Sequence, residues 1–251
     1  MINFLHLLLK RIAFFLKAAN GKGHGTHSPF VYRFITDILN DTRFFYAFEL
    51  IDNQKKIFIN ASNKLTNKKH ADNIRSILNS LPNSSYHQLL FKIVHFYHPS
   101  NVLEIGASLG ITTAYLSLAN GNINITSLVE TPIQDLLAKE NLKELGVNNV
   151  NIIQSADLSI PIQDISNKKY ELVLLNMAQI NNKIDIEEIV KHTEDDAIFI
   201  FLSKNESITK NILWNKILNL NTTTISVELF SMRIAFFRKE QYEKEHYTIQ
   251  F

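Results

Sequence analysis

The pattern of apolar and polar positions changes character near residue 83. Beyond it, short apolar runs alternate with segments of helical period. Val102–Ile105, Asn124–Glu130, Val150–Gln154, Tyr170–Leu175 and Ala197–Leu202 are rich in Val, Ile and Leu and too short for helices, so they read as buried strands. Between them Ile111–Leu118, Ile133–Leu145, Ile184–Thr193 and Ile208–Leu218 repeat apolar positions at three- to four-residue spacing and predict helices. Thr131-Pro132 opens the second of these and Gly146 closes it. Such alternation predicts a parallel sheet covered by helices. The end departs from it. Thr224–Phe230 and Arg233–Arg238 are strands separated only by Ser231-Met232, and so short a link allows only an antiparallel hairpin. The predicted fold is α/β and Rossmann-like, a seven-stranded sheet with an antiparallel terminal hairpin.

Upstream the pattern is mostly helical. Met1–Ala19 is apolar but interrupted by Lys10, Arg11 and Lys17, too short and too charged for a membrane span and without a signal-peptide cleavage site. It is expected to pack on the domain or on a second copy of the chain as a homo-oligomer contact, with an interfacial helix as the alternative. Three glycines loosen Gly21–Gly25, after which Ser28 and Pro29 cap a helix whose face is Phe30, Val31, Phe34, Ile35, Ile38 and Leu39. His24 and His27 stand near that cap; two histidines without a carboxylate make a poor metal signal, so a structural or substrate-loop role is expected. Phe44, Phe45, Tyr46 and Phe48 read as core, and Lys56–Asn60 as a short strand. His70–Leu81 is helical, and Ser85 with Gln88 is expected to box the start of a helix running to Tyr97. The chain thus divides into a helical extension, 1–83, and an α/β domain, 84–251.

Composition excludes more than it suggests. In 251 residues, 26 basic and 24 acidic side chains leave a net charge of +2, which gives no footprint for nucleic acid. There are no cysteines, so disulfides and thiolate metal sites are excluded, and a reducing cytoplasm fits.

The candidate chemistry sits where the first buried strand ends. Gly106-Ala-Ser108-Leu-Gly110 is a small-residue turn between a strand and a helix N-terminus, where backbone N–H groups can meet a polar cofactor. The same residues match Gly-x-Ser-x-Gly, the nucleophile elbow of serine hydrolases. An elbow needs a sheet largely laid down before it, an acid and a late histidine, such as His246. Instead, a second strand follows and ends in Glu130, twenty residues after Gly110. A carboxylate there suits the ribose hydroxyls of a nucleotide-type cofactor, since it accepts hydrogen bonds from both.

Glu104-x-Gly106-x-Ser108-x-Gly110, the acid at the second strand tip, Ala156-Asp157 after the third strand and the terminal hairpin together resemble class I S-adenosylmethionine-dependent methyltransferases. The chain is closer still to an uncharacterised bacterial branch of them, which carries a Gly-His-Gly-x-His-Ser-Pro-Phe segment matched at Gly23–Phe30. The run Leu103–Leu116 and the tail around Phe237–Gln241 and Lys244–His246 also match. The resemblance implies S-adenosylmethionine as cofactor and an unidentified methyl acceptor. It counts Glu104 among the cofactor-binding residues and places Gly106, Ala107, Ser108 and Gly110 under the methionine part, Glu130 on the ribose diol and Asp157 at the adenine amino group. The chain also departs from the branch, whose fourth strand ends in Asp followed by His and whose fifth ends in paired Asp. Those places hold Asn176, Gln179, Leu202 and Ser203, and Asn60-Ala61-Ser62 replaces an acidic segment. Asn is no general base and neutral groups hold divalent cations poorly, so metal-independent transfer is expected, with His24, His27 or Tyr46 as the remaining base candidates. The alternative is a degenerate, non-catalytic methyltransferase fold acting as an interaction subunit.

Overall fold

The computed structural model describes residues 2–19, 21, 27–63, 68–81, 83–155, 165, 168–177, 180, 184–203, 208–240 and 243–251. Helix α1 (Ile2–Lys17) is followed by α2 (Pro29–Phe34), which runs into a π-helical turn (Ile35–Leu39). Helices α3 (Tyr46–Asn63), α4 (Lys68–Ser80) and α5 (Ser84–Tyr97) complete the helical first part. Strands β1 (Asn101–Ile105), β2 (Asn124–Val129), β3 (Val150–Gln154), β4 (Tyr170–Asn176) and β5 (Thr193–Leu202) then alternate with α6 (Ile111–Ala119), α7 (Pro132–Glu144) and α8 (Ile186–Lys191). Helix α9 (Ile208–Asn219) precedes β6 (Thr223–Glu228), β7 (Met232–Phe237) and β8 (Glu245–Thr248).

One eight-stranded sheet has the order β3-β2-β1-β4-β5-β7-β6-β8. Strands β1 to β5 pair in parallel, and β7 pairs antiparallel with both β5 and β6. This is the expected Rossmann-like sheet with its antiparallel hairpin. The strand count is eight rather than seven, because β8 adds in parallel to the free edge of β6. The order turns back between β1 and β4, so the first three strands and the next two run outward from that junction. In an open α/β sheet this switch point, at the carboxyl ends of the strands, is where a crevice forms.

The strands are continuous apolar runs because both faces are covered. One apolar cluster joins α2, α3, α4, α5 and α6 to residues such as Val102, Leu172, Leu174 and Ile200. The other packs Leu103, Val173, Phe199 and Trp214 on the opposite face. Helices α2, α3, α4 and α5 and one face of the sheet therefore share a single core.

Several local expectations are met. Ser28 caps α2 through the Val31 N–H with Pro29 in the first turn, and Val31, Phe34, Ile35, Ile38 and Leu39 are buried. Thr131 caps α7, and its hydroxyl and the Gln134 amide exchange hydrogen bonds with each other's backbone.

Others are corrected. Lys56–Asn60 is not a strand but part of α3, whose inner face is Phe48, Ile51 and Phe58 while Ile57 points outward at 60% exposure. Their spacing of three, then seven, is helical, and the Ile-Phe-Ile triplet alone misleads. Ser85 and Gln88 do not box α5, which begins at Ser84 with Asn83 as its cap residue. Of the aromatic cluster Phe48 is core, whereas Phe44 and Tyr46 are exposed. The hairpin link is Leu229–Ser231, one residue longer than the sequence suggests.

Candidate functional site

Three neighbouring strands bring the sequence-selected residues to one edge. Strand β1 delivers Glu104 and the turn 106–110, and β2 delivers Glu130. Strand β3 ends at Gln154, and the Ser155 N–H donates to the Val129 carbonyl at 2.8 Å. Asp157, two residues on, lies outside the described residues, as do His24 and Gln179.

The turn has a strained, closed geometry. Gly106 and Gly110 have φ of 92° and 75°, and Ser108 lies in the left-handed region at φ 57°. A serine there is uncommon and carries a conformational cost of about 1 kcal/mol or more. The N–H groups of Gly106 and Ala107 both donate to the Leu128 carbonyl at 3.0 Å, and that of Gly110 donates to the Ala107 carbonyl. The first two amides therefore clamp the turn to β2 and the third closes the turn on itself, so none of the three points outward, which revises the expectation that each meets a ligand. Leu109 is held from the other side by the buried Asn141 amide on α7, 3.0 Å from its carbonyl oxygen. A Cβ on Gly110 would meet Ala138 backbone atoms at 3.2 and 3.3 Å, so this glycine lets α6 and α7 close together.

Glu104 is wholly buried on β1. Its Oε2 accepts from the Thr113 hydroxyl on α6 at 2.6 Å and from the Ser127 hydroxyl on β2 at 2.5 Å. Burial pushes its carboxyl up to about 7, against the two hydroxyl donors, which pull it down. Thr113 and Ser127 were not legible as partners; in sequence each is only a small polar residue inside an apolar element. Under the first turn of α6, buried His87 stacks on Tyr115 with centroids 5.3 Å apart, and its Nε2 lies 3.4 Å from the Thr112 hydroxyl. Burial, with the nearby Lys55 charge, pushes this imidazole down to about 3, so it is neutral.

Glu130 stands partly exposed at the tip of β2. Its N–H is held by Gln134 Oε1 at 3.1 Å, while no hydrogen bond or ion pair engages its carboxylate among the described residues. The helix behind it is capped by Thr131, so Glu130 is not needed as a cap.

Polar atoms without partners gather at this edge. Glu104 Oε1, Ser108 Oγ and both amide atoms of Asn176 are buried with no hydrogen-bond partner among the described residues. They sit at the carboxyl ends of β1 and β4, strands adjacent at the switch point. Native proteins leave few such groups unsatisfied, because each costs about 1–3 kcal/mol. Two sizeable hollows, of about 360 and 490 Å³, lie elsewhere: they share Phe30, Tyr97, Arg238 and Glu240, and among the described residues no unpartnered buried atom lines either.

The base candidates disperse. His27 is exposed and Tyr46 is 75% exposed. Among the described residues no three His, Cys, Asp or Glu side chains are grouped as metal ligands, and no helix is long and apolar enough to cross a membrane. The hydrolase reading fails on distance. His246 lies on β8 with Nδ1 2.8 Å from the Ser226 hydroxyl, five strands from β1, or about 24 Å at normal strand spacing.

Comparison with known proteins agrees with the architecture. No protein-family model and no curated protein matches the chain. Among solved structures it is similar to an O-methyltransferase from Bacillus cereus in complex with SAH, at 13% identity and TM-score 0.56, covering 83% of this chain and 97% of that one. It is also similar to an SAH-bound methyltransferase from Podospora anserina, at 10% identity and TM-score 0.53, covering 81% and 93%. A methyltransferase from Geobacter sulfurreducens matches at 8% identity and TM-score 0.55, covering 84% and 98%. At these identities the likeness is one of fold.

Proposed function

We propose that the chain is an S-adenosylmethionine-dependent methyltransferase acting without a metal ion on an acceptor still to be identified. The observation that carries this is the set of unpartnered buried polar atoms on Glu104, Ser108 and Asn176 at the switch point. The donor set fits the cofactor. Glu130, whose carboxylate is unengaged among the described residues, can accept from two ribose hydroxyls, and Ser108 Oγ and the Asn176 amide both donate and accept near the methionine portion. Asp157 is proposed to accept from the adenine amino group. When bound, the cofactor supplies an activated methyl group on sulfur.

The protein's part is then positioning. Gly106, Ser108 and Gly110 hold the turn tight, so that the chain passes close beneath the ligand. Glu104 ties β1, β2 and α6 into one rigid edge. Transfer in line gains chiefly from orientation. Asn176 is neutral, and Leu202 at the end of β5 and Ser203 after it carry no charge, so these positions offer a divalent cation little to hold it.

Calorimetric titration of the folded chain with S-adenosylmethionine and S-adenosylhomocysteine tests the reading. Micromolar affinity for both is expected, about −8 kcal/mol. Glu130→Ala should weaken both about 50-fold or more, the worth of two hydrogen bonds to a charged acceptor. Absence of binding to well-folded protein would overturn the proposal in favour of the interaction-subunit alternative.

A further inference from the structure

Helix α1 leaves an apolar stripe uncovered. Leu9, Ile12 and Leu16 are 56%, 48% and 82% exposed, and their spacing of three and four puts them on one face. The opposite side is anchored. Phe14 meets Phe230 edge-on at 5.6 Å and the Arg11 guanidinium lies 5.7 Å from the same ring. Gln250 Nε2 donates to the Phe15 carbonyl, and Ala19 bridges to Ile249 beside β8. The helix is thus apolar on two sides, one against the protein and one left uncovered by the described residues.

Charge selects what covers the free side. Lys10, Arg11 and Lys17 are the only charged residues of α1, and the first acidic residue in the sequence is Asp37. A second copy docked on the same stripe would bring lysines together with no carboxylate on either helix to pair them. An anionic lipid surface supplies both requirements, acyl chains for Leu9, Ile12 and Leu16 and phosphate for the exposed Lys17 that follows them.

We propose that α1 is an interfacial helix that lays the protein on an anionic bilayer. Position supports this. Phe230, the seat of α1, also lines a small hollow with Met177, Phe201, Ser203 and Met232, where β4 and β5 end. The bilayer would lie beside the same edge of the sheet as the candidate site. The proposal does not depend on the cofactor reading, since vesicle binding and cofactor titration are separate measurements.

Flotation of the full chain with phosphatidylcholine vesicles, with and without phosphatidylglycerol, is the test, paired with sedimentation velocity to read the oligomeric state. Binding only to phosphatidylglycerol vesicles, weakened as salt is raised, is expected. Leu16→Glu should reduce it about tenfold or more and Lys17→Glu should weaken it less. Both positions are exposed, so thermal unfolding should be unchanged and loss of fold cannot mimic the result. No binding at low salt, or equal binding to both vesicles, overturns the proposal. So does a dimer that Leu16→Glu dissociates in protein that ignores lipid.

Discussion

Gly110→Ala is expected to destabilise the protein by about 2–4 kcal/mol, read from the denaturant midpoint. Two costs combine. The backbone at φ 75° disfavours any Cβ by about 1–2 kcal/mol. The new methyl would also press on the Ala138 carbonyl at 3.2 Å and on Leu142 at 3.3 Å, in the contact between α6 and α7. Gly146→Ala separates the two. Its φ is 71°, nearly the same, but nothing lies within 4 Å of the added carbon. That variant should lose only the conformational part, about 1 kcal/mol. Equal losses at both positions would show that α6 and α7 do not constrain the turn.

The second large effect concerns pH. Glu104 and His87 flank the same turn and titrate in opposite senses. Glu104 binds its proton more tightly folded, at about 7 against an ordinary value of 4.5. Its contribution is therefore full below pH 4.5 and is lost as pH rises to about 7, on the order of 3 kcal/mol. His87 binds its proton less tightly folded, about 3 against 6.5. Its contribution is full above pH 6.5 and is lost as pH falls toward 3, on the order of 4–5 kcal/mol. Between about pH 4.5 and 6.5 the two slopes oppose, so these groups leave stability nearly flat there. Glu104→Gln should unmask the histidine, with stability rising across that window. His87→Phe should unmask the carboxyl, with stability falling. Chemical denaturation at several pH values distinguishes them, and identical profiles for all three proteins would mean neither group is buried in the folded state.

The sequence carries the sheet well because parallel strands covered on both faces must be short unbroken apolar runs. Each of the five is found within a few residues of its expected place. It carries the turn well too, since Gly106 and Gly110 meet a backbone requirement that only glycine satisfies cheaply. It carries the first part less well. The Ile57-Phe-Ile59 triplet looks like a strand until Phe48 and Ile51 are seen to share its inner face. Strand β8 is invisible for the opposite reason, because Glu245, His246, Tyr247 and Thr248 form a polar edge strand with no apolar alternation. Within the site, spacing points to Glu104 and Glu130 but not to what they do. Glu104 is stapled by Thr113 and Ser127 from two other elements, which no linear pattern reveals. Nor does the sequence show that the Gly106 and Ala107 amides are already spent on Leu128.

The seat of α1 has a consequence for synthesis. Phe15 and Gln250 bond across 235 residues, and Phe230 and the Ala19–Ile249 bridge are made equally late. At about 5–20 residues per second, the ribosome delivers that seat on the order of 10–50 s after the helix. During this interval both apolar sides of α1 are without a partner in the chain. A nascent polypeptide in that condition is a client for a chaperone or for a lipid surface. Helix α1 is thus made long before the residues that seat it, and whatever shelters it meanwhile acts before the fold is complete.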